Sequence, residues 1–454
     1  MIKIDQTIFR DYDIRGIYPT QINEKLFYIL GRAAATYFEA EEIAVGYDCR
    51  LSSKSLFASL TSGIMDQGVN VVNLGLISTE MHYFASGSYN FPANIIISAS
   101  HNPPEYNGLK IVTRGVVPLN GEWGLPEIKM LALKQKFSNG NKRGLLKNQD
   151  ILDPWIKHVL SFIDPLKLAP LKVVVDAGNG MGGRAWDKIK GQVPVKIIPL
   201  YFDPDGNFPH HLPDPLNTNN LVDLQKEIIK EEADLGFAMD GDADRLFVLD
   251  EKGEIISGTI TCAMLAESQL TRYGGGKVLY NVVCGNIVPE TIRRLGGQPL
   301  RVRVGHSFIK QEMKKNKAIF AGEHSGHFYF KDNYCADSST IAGLLLLDYI
   351  SKKNHTLSRI VKEFDKYFSS GEINIKVKDV EAIINNLKLN FKDAKGSDQI
   401  DGLTIRYSNW WFNLRVSKTE PLIRLNLEAD NKDLMEDKEL SVKNMILSSG
   451  GNIV

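Results

Sequence analysis

Residues 172–183 read KVVVDAGNGMGG. Three successive valines make a short strand that is apolar on both faces, and a glycine-rich turn follows it. A strand without alternation is buried on both sides, which points to parallel strands covered by helices. The same pattern recurs on either side, at residues 43–52 (IAVGYDCRLS) and 277–286 (KVLYNVVCGN). Amphipathic stretches follow at 221–233 (LVDLQKEIIKEEA) and 286–297 (NIVPETIRRLGG), the second closing on glycines as helices often do. This pattern predicts a βαβ domain used three times, with little identity between the copies. From residue 403, LTIRYSNWWFNLRVSKTEPLIRLNLEA alternates in short strands, so the last domain is smaller and α+β. Breaks near residues 145, 250–253 and 369–371 divide the chain into 1–150, 151–253, 254–368 and 369–454.

The length of 454 residues suits about three domains, or four small ones. Hydrophobic residues at 43% and charged residues at 24% are the balance of a globular protein with several cores. Lys plus Arg and Asp plus Glu both number 54, a net charge of zero. That argues against a nucleic-acid or membrane-surface binder, which usually needs a positive excess, while leaving room for a local basic pocket around a small anion. Cys49, Cys262, Cys284 and Cys335 lie far apart without CxxC spacing, so neither a zinc site nor a disulfide framework is expected. The charged opening MIKIDQTIFRDYDIRG lacks a signal peptide's apolar stretch, and runs such as Leu344 to Leu347 are too short to span a bilayer. A cytoplasmic protein is expected.

Asp240-Gly241-Asp242-Ala243-Asp244-Arg245 follows the apolar stretch LGFAMD. Three aspartates at alternate positions can converge their oxygens on one hard cation such as Mg²⁺ or Ca²⁺. An EF-hand reading, with Glu251 at the twelfth position from Asp240, fails because Arg245 occupies the sixth position, where the turn needs glycine. Ser98-Ala99-Ser100-His101-Asn102-Pro103-Pro104 follows NIIIS and leads into Tyr106-Asn107-Gly108-Leu109-Lys110. There the prolines and the Asn-Gly pair are expected to bend the backbone and fix the serine, although a plain loop would explain the same residues. Two later loops are expected at 305–310 (GHSFIK) and 322–327 (GEHSGH). Glu323 offers an acceptor for hydroxyl groups, and His306 and His327 could move protons. Arg415, Ser417, Lys418 and Thr419, with Arg424 beyond, suit a cradle for a phosphate dianion or, equally, a surface hairpin. Arg10, Tyr12 and Arg15 are ambiguous by themselves.

Taken in order, FRDYDIRG, SASHNP with YNGLK, DGDADR, GHSFIK, GEHSGH and RVSKTEP resemble the α-D-phosphohexomutase family, most closely its phosphomannomutase/phosphoglucomutase branch. The resemblance implies three similar mixed-sheet α/β domains and a smaller C-terminal α+β domain around a central cleft. It implies that Ser100 carries a phosphoryl group and that Asp240, Asp242 and Asp244 hold Mg²⁺ together with an oxygen of the phosphoserine. Lys110, Arg15, Arg245 and His306 become the catalytic candidates. Tyr12, His101, Glu323, Ser325, His327, Arg415, Ser417, Lys418 and Thr419 become the substrate contacts. The implied reaction interconverts hexose 1- and 6-phosphates of mannose or glucose through a bisphosphorylated hexose, which also serves as activator. The expected partner is a small sugar phosphate, the expected state a monomer or homodimer. Departures from the family pattern fall at Val283 and Asn286, where basic residues are usual, at His324 in place of methionine, and at Lys418 in place of asparagine. Two alternatives stay open: a phosphoglucosamine mutase, and a non-catalytic, metal-dependent sugar-phosphate binding protein of the same fold.

Overall fold

The computed structural model describes residues 2–377, 379–416 and 422–453. The first sheet holds β1 (Ile14–Ile17), β2 (Glu42–Tyr47), β3 (Asn70–Leu76), β4 (Ala93–Ile97), β5 (Tyr106–Thr113), β6 (Val117–Pro118) and β7 (Leu146–Asn148). Its order is β1-β5-β4-β2-β3-β7, with β6 on β5. The second holds β8 (Lys172–Asp176), β9 (Lys196–Leu200), β10 (Leu235–Met239), β11 (Leu246–Asp250) and β12 (Ile255–Ile256), ordered β12-β11-β10-β8-β9. The third holds β13 (Lys277–Asn281), β14 (Gln298–Val302), β15 (Phe320–Gly322), β16 (Phe328–Phe330) and β17 (Ala336–Asp337), ordered β14-β13-β15-β16-β17.

The three sheets repeat one plan. A central strand (β2, β8 or β13) has parallel neighbours on both sides, and a fourth strand returns antiparallel to the third. The three triplets of parallel strands agree with the apolar runs in the sequence; β8 is buried from its second residue on, and β4 and β10 are buried throughout. The return has a simple cause. The linking loops at 98–105, 240–245 and 323–327 are shorter than the crossover of about a dozen residues that a parallel partner needs. The serine, aspartate and Glu323 motifs occupy these three equivalent loops, so repetition of the unit brings three different chemistries to comparable places.

The fourth sheet is antiparallel throughout: β18 (Phe368–Lys376), β19 (Gly396–Asp398), β20 (Leu403–Arg406), β21 (Trp410–Val416), β22 (Ile423–Ala429) and β23 (Asn452–Ile453), ordered β19-β20-β21-β22-β18-β23. Ile383 and Leu387 of one helix and Val442 and Ile446 of another complete its own core. The second and third units share a continuous core that reaches into the first. Its spine is the helix Ser339–Lys353, in which every residue from Ser339 to Ile350 is buried. The Leu344–Leu347 run therefore belongs to a helix apolar on all sides because protein surrounds it. No helix among the described residues is long and apolar enough to cross a membrane, and the four cysteines are free thiols.

Three local expectations need correction. Asn107 and Gly108 form no bend; they lie inside β5, facing Gly16 and Arg15 of β1. A Cβ on Gly108 would sit 2.1 Å from the Ile14 carbonyl oxygen, so close strand approach explains this glycine. Residues 305–310 are the start of the helix His306–Asn316 rather than a loop, with Gly305 at φ 128° before it. Arg415 and Arg424 stand directly opposite each other on β21 and β22, not in one loop.

Candidate active site

The four units meet at a cleft of 690 Å³, to which each contributes charged or polar side chains, among them Ser100, Arg245, Glu323 and Arg415. At its floor, Asp240, Asp242 and Asp244 bring one carboxylate oxygen each within 4.8 Å of one another. Asp240 Oδ1 accepts the amides of Asp244 (3.1 Å) and Arg245 (3.2 Å), which closes the loop on itself. Asp242 Oδ1 and Asp244 Oδ1 are buried and accept no hydrogen bond among the described residues. Buried carboxylate oxygens without donors are costly, and an oxygen-seeking divalent cation would satisfy them, so this donor set fits such an ion. Burial, and after it the charges of Asp244 and Asp242, push the Asp240 carboxyl well above the usual carboxylate range.

Ser100 sits against this loop. Its Oγ lies 2.9 Å from Asp240 Oδ2 and 3.2 Å from His101 Nδ1. Gly241 permits the contact, because a Cβ there would come within 2.5 Å of the Ser100 carbonyl oxygen. Lys110 does not hang from the turn; it is mid-strand on β5 and reaches across to Asp242 (2.5 Å) and Asp244 (2.8 Å). Burial alone would lower its pKa, but the two carboxylates raise it above the ordinary lysine value, so Lys110 is an ammonium here. Arg15 on β1 donates to Asn102 Oδ1 and pairs with Asp13.

Where the second unit meets the third, Arg245 Nε donates to His327 Nε2 at 3.0 Å. An arginine only donates, so His327 carries its proton on Nδ1, which faces Asp337 at 2.8 Å. Asp337 in turn pairs at 2.6 Å with Lys310, a fully buried lysine. Lys310 also lies 3.4 Å from His306 Nδ1, which leaves the His306 proton on Nε2. Burial first, then the Lys310 charge, pull His306 well below the ordinary histidine pKa, so it is neutral. Glu323 accepts from Tyr329 (2.5 Å), Asn281 (3.1 Å) and the Gly305 amide (3.3 Å), which fixes its carboxylate at the cleft wall. Ser325 and Tyr12 line the same cleft, the latter donating to the Val304 carbonyl at 3.3 Å.

On the fourth unit, Glu372 of β18 bridges Arg415 (3.1 Å) and Arg424 (3.2 Å), holding both guanidinium groups at the cleft. Ser417, Lys418 and Thr419 lie outside the described residues. Two departures noted in the sequence, Val283 and His324, line a separate 560 Å³ cavity between the third and fourth units rather than the cleft. The Asn286 amide donates to Glu428 at 2.9 Å.

Sequence reading missed Thr79, Lys310, Asp337 and Glu372. Thr79 donates to Asp242 Oδ2 at 2.5 Å, yet it sits in an ordinary helix start with no distinguishing signal. Lys310 carried a signal: it is four residues after His306 and therefore on the same helical face. Asp337 and Glu372 could not be placed without the tertiary pairing.

Comparison with known proteins agrees with this arrangement. The phosphoglucomutase/phosphomannomutase domain families match in order: alpha/beta/alpha domain I at residues 6–137, domain II at 153–253, domain III at 257–367 and the C-terminal domain at 372–443. A phosphomannomutase of Methanocaldococcus jannaschii is 39% identical over 451 residues, covering 97% of this chain and 98% of its own. One from Vibrio cholerae is 37% identical over 447 residues, covering 95% and 96%. The crystal structure of a phosphoglucomutase/phosphomannomutase family protein from Burkholderia thailandensis superposes with a TM-score of 0.91 at 30% identity, covering 99% of this chain and 100% of that one. On the order of its motifs, the plan of its four units and these likenesses, the chain belongs to the phosphoglucomutase/phosphomannomutase family.

Proposed function

We propose that this protein interconverts hexose 1-phosphates and hexose 6-phosphates, of mannose, glucose or both, with Ser100 as the phosphoryl carrier. The observation that supports it most is the contact of Ser100 Oγ with Asp240, 2.9 Å away, in a cleft whose opposite wall presents Arg415 and Arg424. A phosphoryl donor and a separate phosphate anchor across a gap are what a mutase needs to hold a sugar by one phosphate while the other reacts. Mg²⁺ held by Asp240, Asp242 and Asp244 with a phosphoserine oxygen would neutralise charge on the transferring group.

In the forward half-reaction, a free sugar hydroxyl attacks phosphorus, an O–P bond to the sugar forms and the P–Oγ bond to Ser100 breaks. Lys110, an ammonium bonded to Asp242 and Asp244, would help move the hydroxyl proton: the attacking hydroxyl gives up one proton and Ser100 Oγ takes up one, so the proton count closes. Arg15 and Arg245 face the transferring phosphoryl oxygens, where fixed positive charge is most effective. Neutral His306, protonated on Nε2, donates to a sugar or phosphate oxygen. Glu323 and Ser325 hold sugar hydroxyls, with His327 and His101 beside them and Tyr12 at the rim. Arg415, with Ser417, Lys418 and Thr419, binds the phosphate that is not reacting, and that binding energy helps exclude water from the phosphoserine. The bisphosphorylated sugar then turns over in the cleft and returns its other phosphoryl group to Ser100.

Phosphorus NMR of the enzyme with Mg²⁺ and a bisphosphorylated hexose, given glucose, mannose and glucosamine 1-phosphates separately, tests this reading. Conversion of the glucose and mannose forms is expected. Conversion of glucosamine 1-phosphate alone would move the assignment to a phosphoglucosamine mutase, and no conversion at all would favour a binding protein.

A further inference from the structure

The serine loop converges on one side chain that the reaction scheme has not used. Arg50 lies beyond the end of β2 and is 2% exposed. Its guanidinium donates to three carbonyls of the serine loop, Ser100 (2.8 Å), Asn102 (2.5 Å) and Pro103 (2.6 Å), and to that of Tyr106 (3.0 Å), the first residue of β5. Asp48 steadies it from the other side, 3.3 Å from Nε, and is itself fixed by the Arg50 amide (3.0 Å) and Ser53 Oγ (2.6 Å). The ring of Phe208, from the second unit, covers the guanidinium at 5.1 Å. Backbone packing is equally close there, since a Cβ on Gly206 would meet the Cys49 carbonyl oxygen at 2.6 Å.

The loop needs such a brace. Ser100 has φ 51°, in the left-handed region that non-glycine residues avoid. A residue stays in that region when its surroundings over-determine it, and such residues gather at functional sites. Here the surroundings are a planar fork of donors, matched to the carbonyl of the strained residue itself and to three that follow it. A lysine has the charge but not the fork, and a point-like ammonium cannot span the same four acceptors.

We propose that Arg50 is a positioning residue for phosphoryl transfer: by tying three carbonyls of the serine loop to the start of β5 it holds the Ser100 backbone in its left-handed conformation and Oγ against Asp240. The proposal rests on Ser100 being the phosphoryl carrier. Displacing a reacting group by about an ångström costs on the order of a hundredfold in rate. Arg50→Lys is therefore expected to bind substrate with little change in KM while kcat falls about a hundredfold, and its phosphoserine is expected to hydrolyse faster. Asp48→Asn, which keeps the guanidinium but loosens it, should lose about tenfold.

The experiment compares wild type, Arg50→Lys and Asp48→Asn after loading with bisphosphorylated glucose. It measures Ser100 phosphorylation by peptide mass, the decay of that phosphoserine, steady-state kinetics and thermal unfolding. Folded variants with low kcat, near-normal KM and short-lived phosphoserine are the expected result. Wild-type kcat and phosphoserine lifetime in Arg50→Lys would overturn the proposal. Should Arg50→Lys fail to fold, Asp48→Asn decides, and unchanged kcat there overturns it equally. If wild-type Ser100 takes up no phosphoryl group, the assignment of Ser100 itself has failed, which is a different outcome from either of these.

Discussion

Replacing Lys110 by methionine removes one ammonium and keeps most of the apolar stem. Lys110 and Arg245 together set two cations against the three carboxylates of Asp240, Asp242 and Asp244, and the substitution leaves one. All three carboxylates are at most 1% exposed, so water does little to screen the imbalance. Removing one partner of a buried ion pair costs about 3–5 kcal/mol, because the remaining charge stays desolvated. A divalent cation bound by the same carboxylates would offset much of that loss. Urea unfolding in the presence of chelator should therefore show Lys110→Met less stable than wild type by about 3–5 kcal/mol. Millimolar Mg²⁺ should close most of the gap. Turnover should stay low even with Mg²⁺, by about 10²–10⁴-fold, since the proton carrier is gone. The reasoning fails if Mg²⁺ leaves the stability gap unchanged, or if turnover with Mg²⁺ matches wild type.

Other substitutions probe the remaining walls. Arg415→Ala removes a charge-assisted anchor worth about 1.5–3 kcal/mol, so KM for mannose and glucose phosphates should rise about 10–150-fold; an unchanged KM counts against the role of β21. Glu323→Gln places an amide where three donors converge, and kcat/KM should fall about 10–100-fold with a small change in unfolding temperature. Glu80 is fully buried beside Ser338 and Thr340 at the start of the helix Ser339–Lys353, and burial pushes its carboxyl up to about 7. Because its folded pKa lies above the ordinary glutamate value of 4.5, its contribution to stability is full below about pH 4.5 and is lost as pH rises to about 7. Wild type should thus lose roughly 3 kcal/mol over that window relative to Glu80→Gln, read as the difference between their urea unfolding curves at each pH.

Much of the architecture was legible because it is local. The valines of β8 and the isoleucines of β4 are apolar on both faces, and no surface strand would use them so. The aspartate motif was legible for a similar reason: its ligands are neighbours in sequence, and spacing alone gathers them. What local pattern could not supply was the direction of side chains across units. Lys110 reads as part of a turn because Asn107-Gly108 usually makes one; only pairing with β1, which leaves no room for a Cβ on Gly108, turns that pair into strand. Arg415 and Arg424 read as loop partners nine residues apart, whereas register sets them face to face. Glu372, which bridges them, comes from a third strand more than forty residues earlier and had no signal of its own.

The central claim is that the phosphoryl group leaves Ser100 for the sugar and another returns to it. Phosphorylated enzyme, mixed in a quench apparatus with an equivalent of hexose 1-phosphate and Mg²⁺, tests this in one turnover. The account predicts that bisphosphorylated hexose appears as the phosphate on the Ser100 peptide disappears, before any hexose 6-phosphate forms, and that Ser100→Ala does neither. Formation of hexose 6-phosphate while Ser100 keeps its phosphate throughout would contradict it.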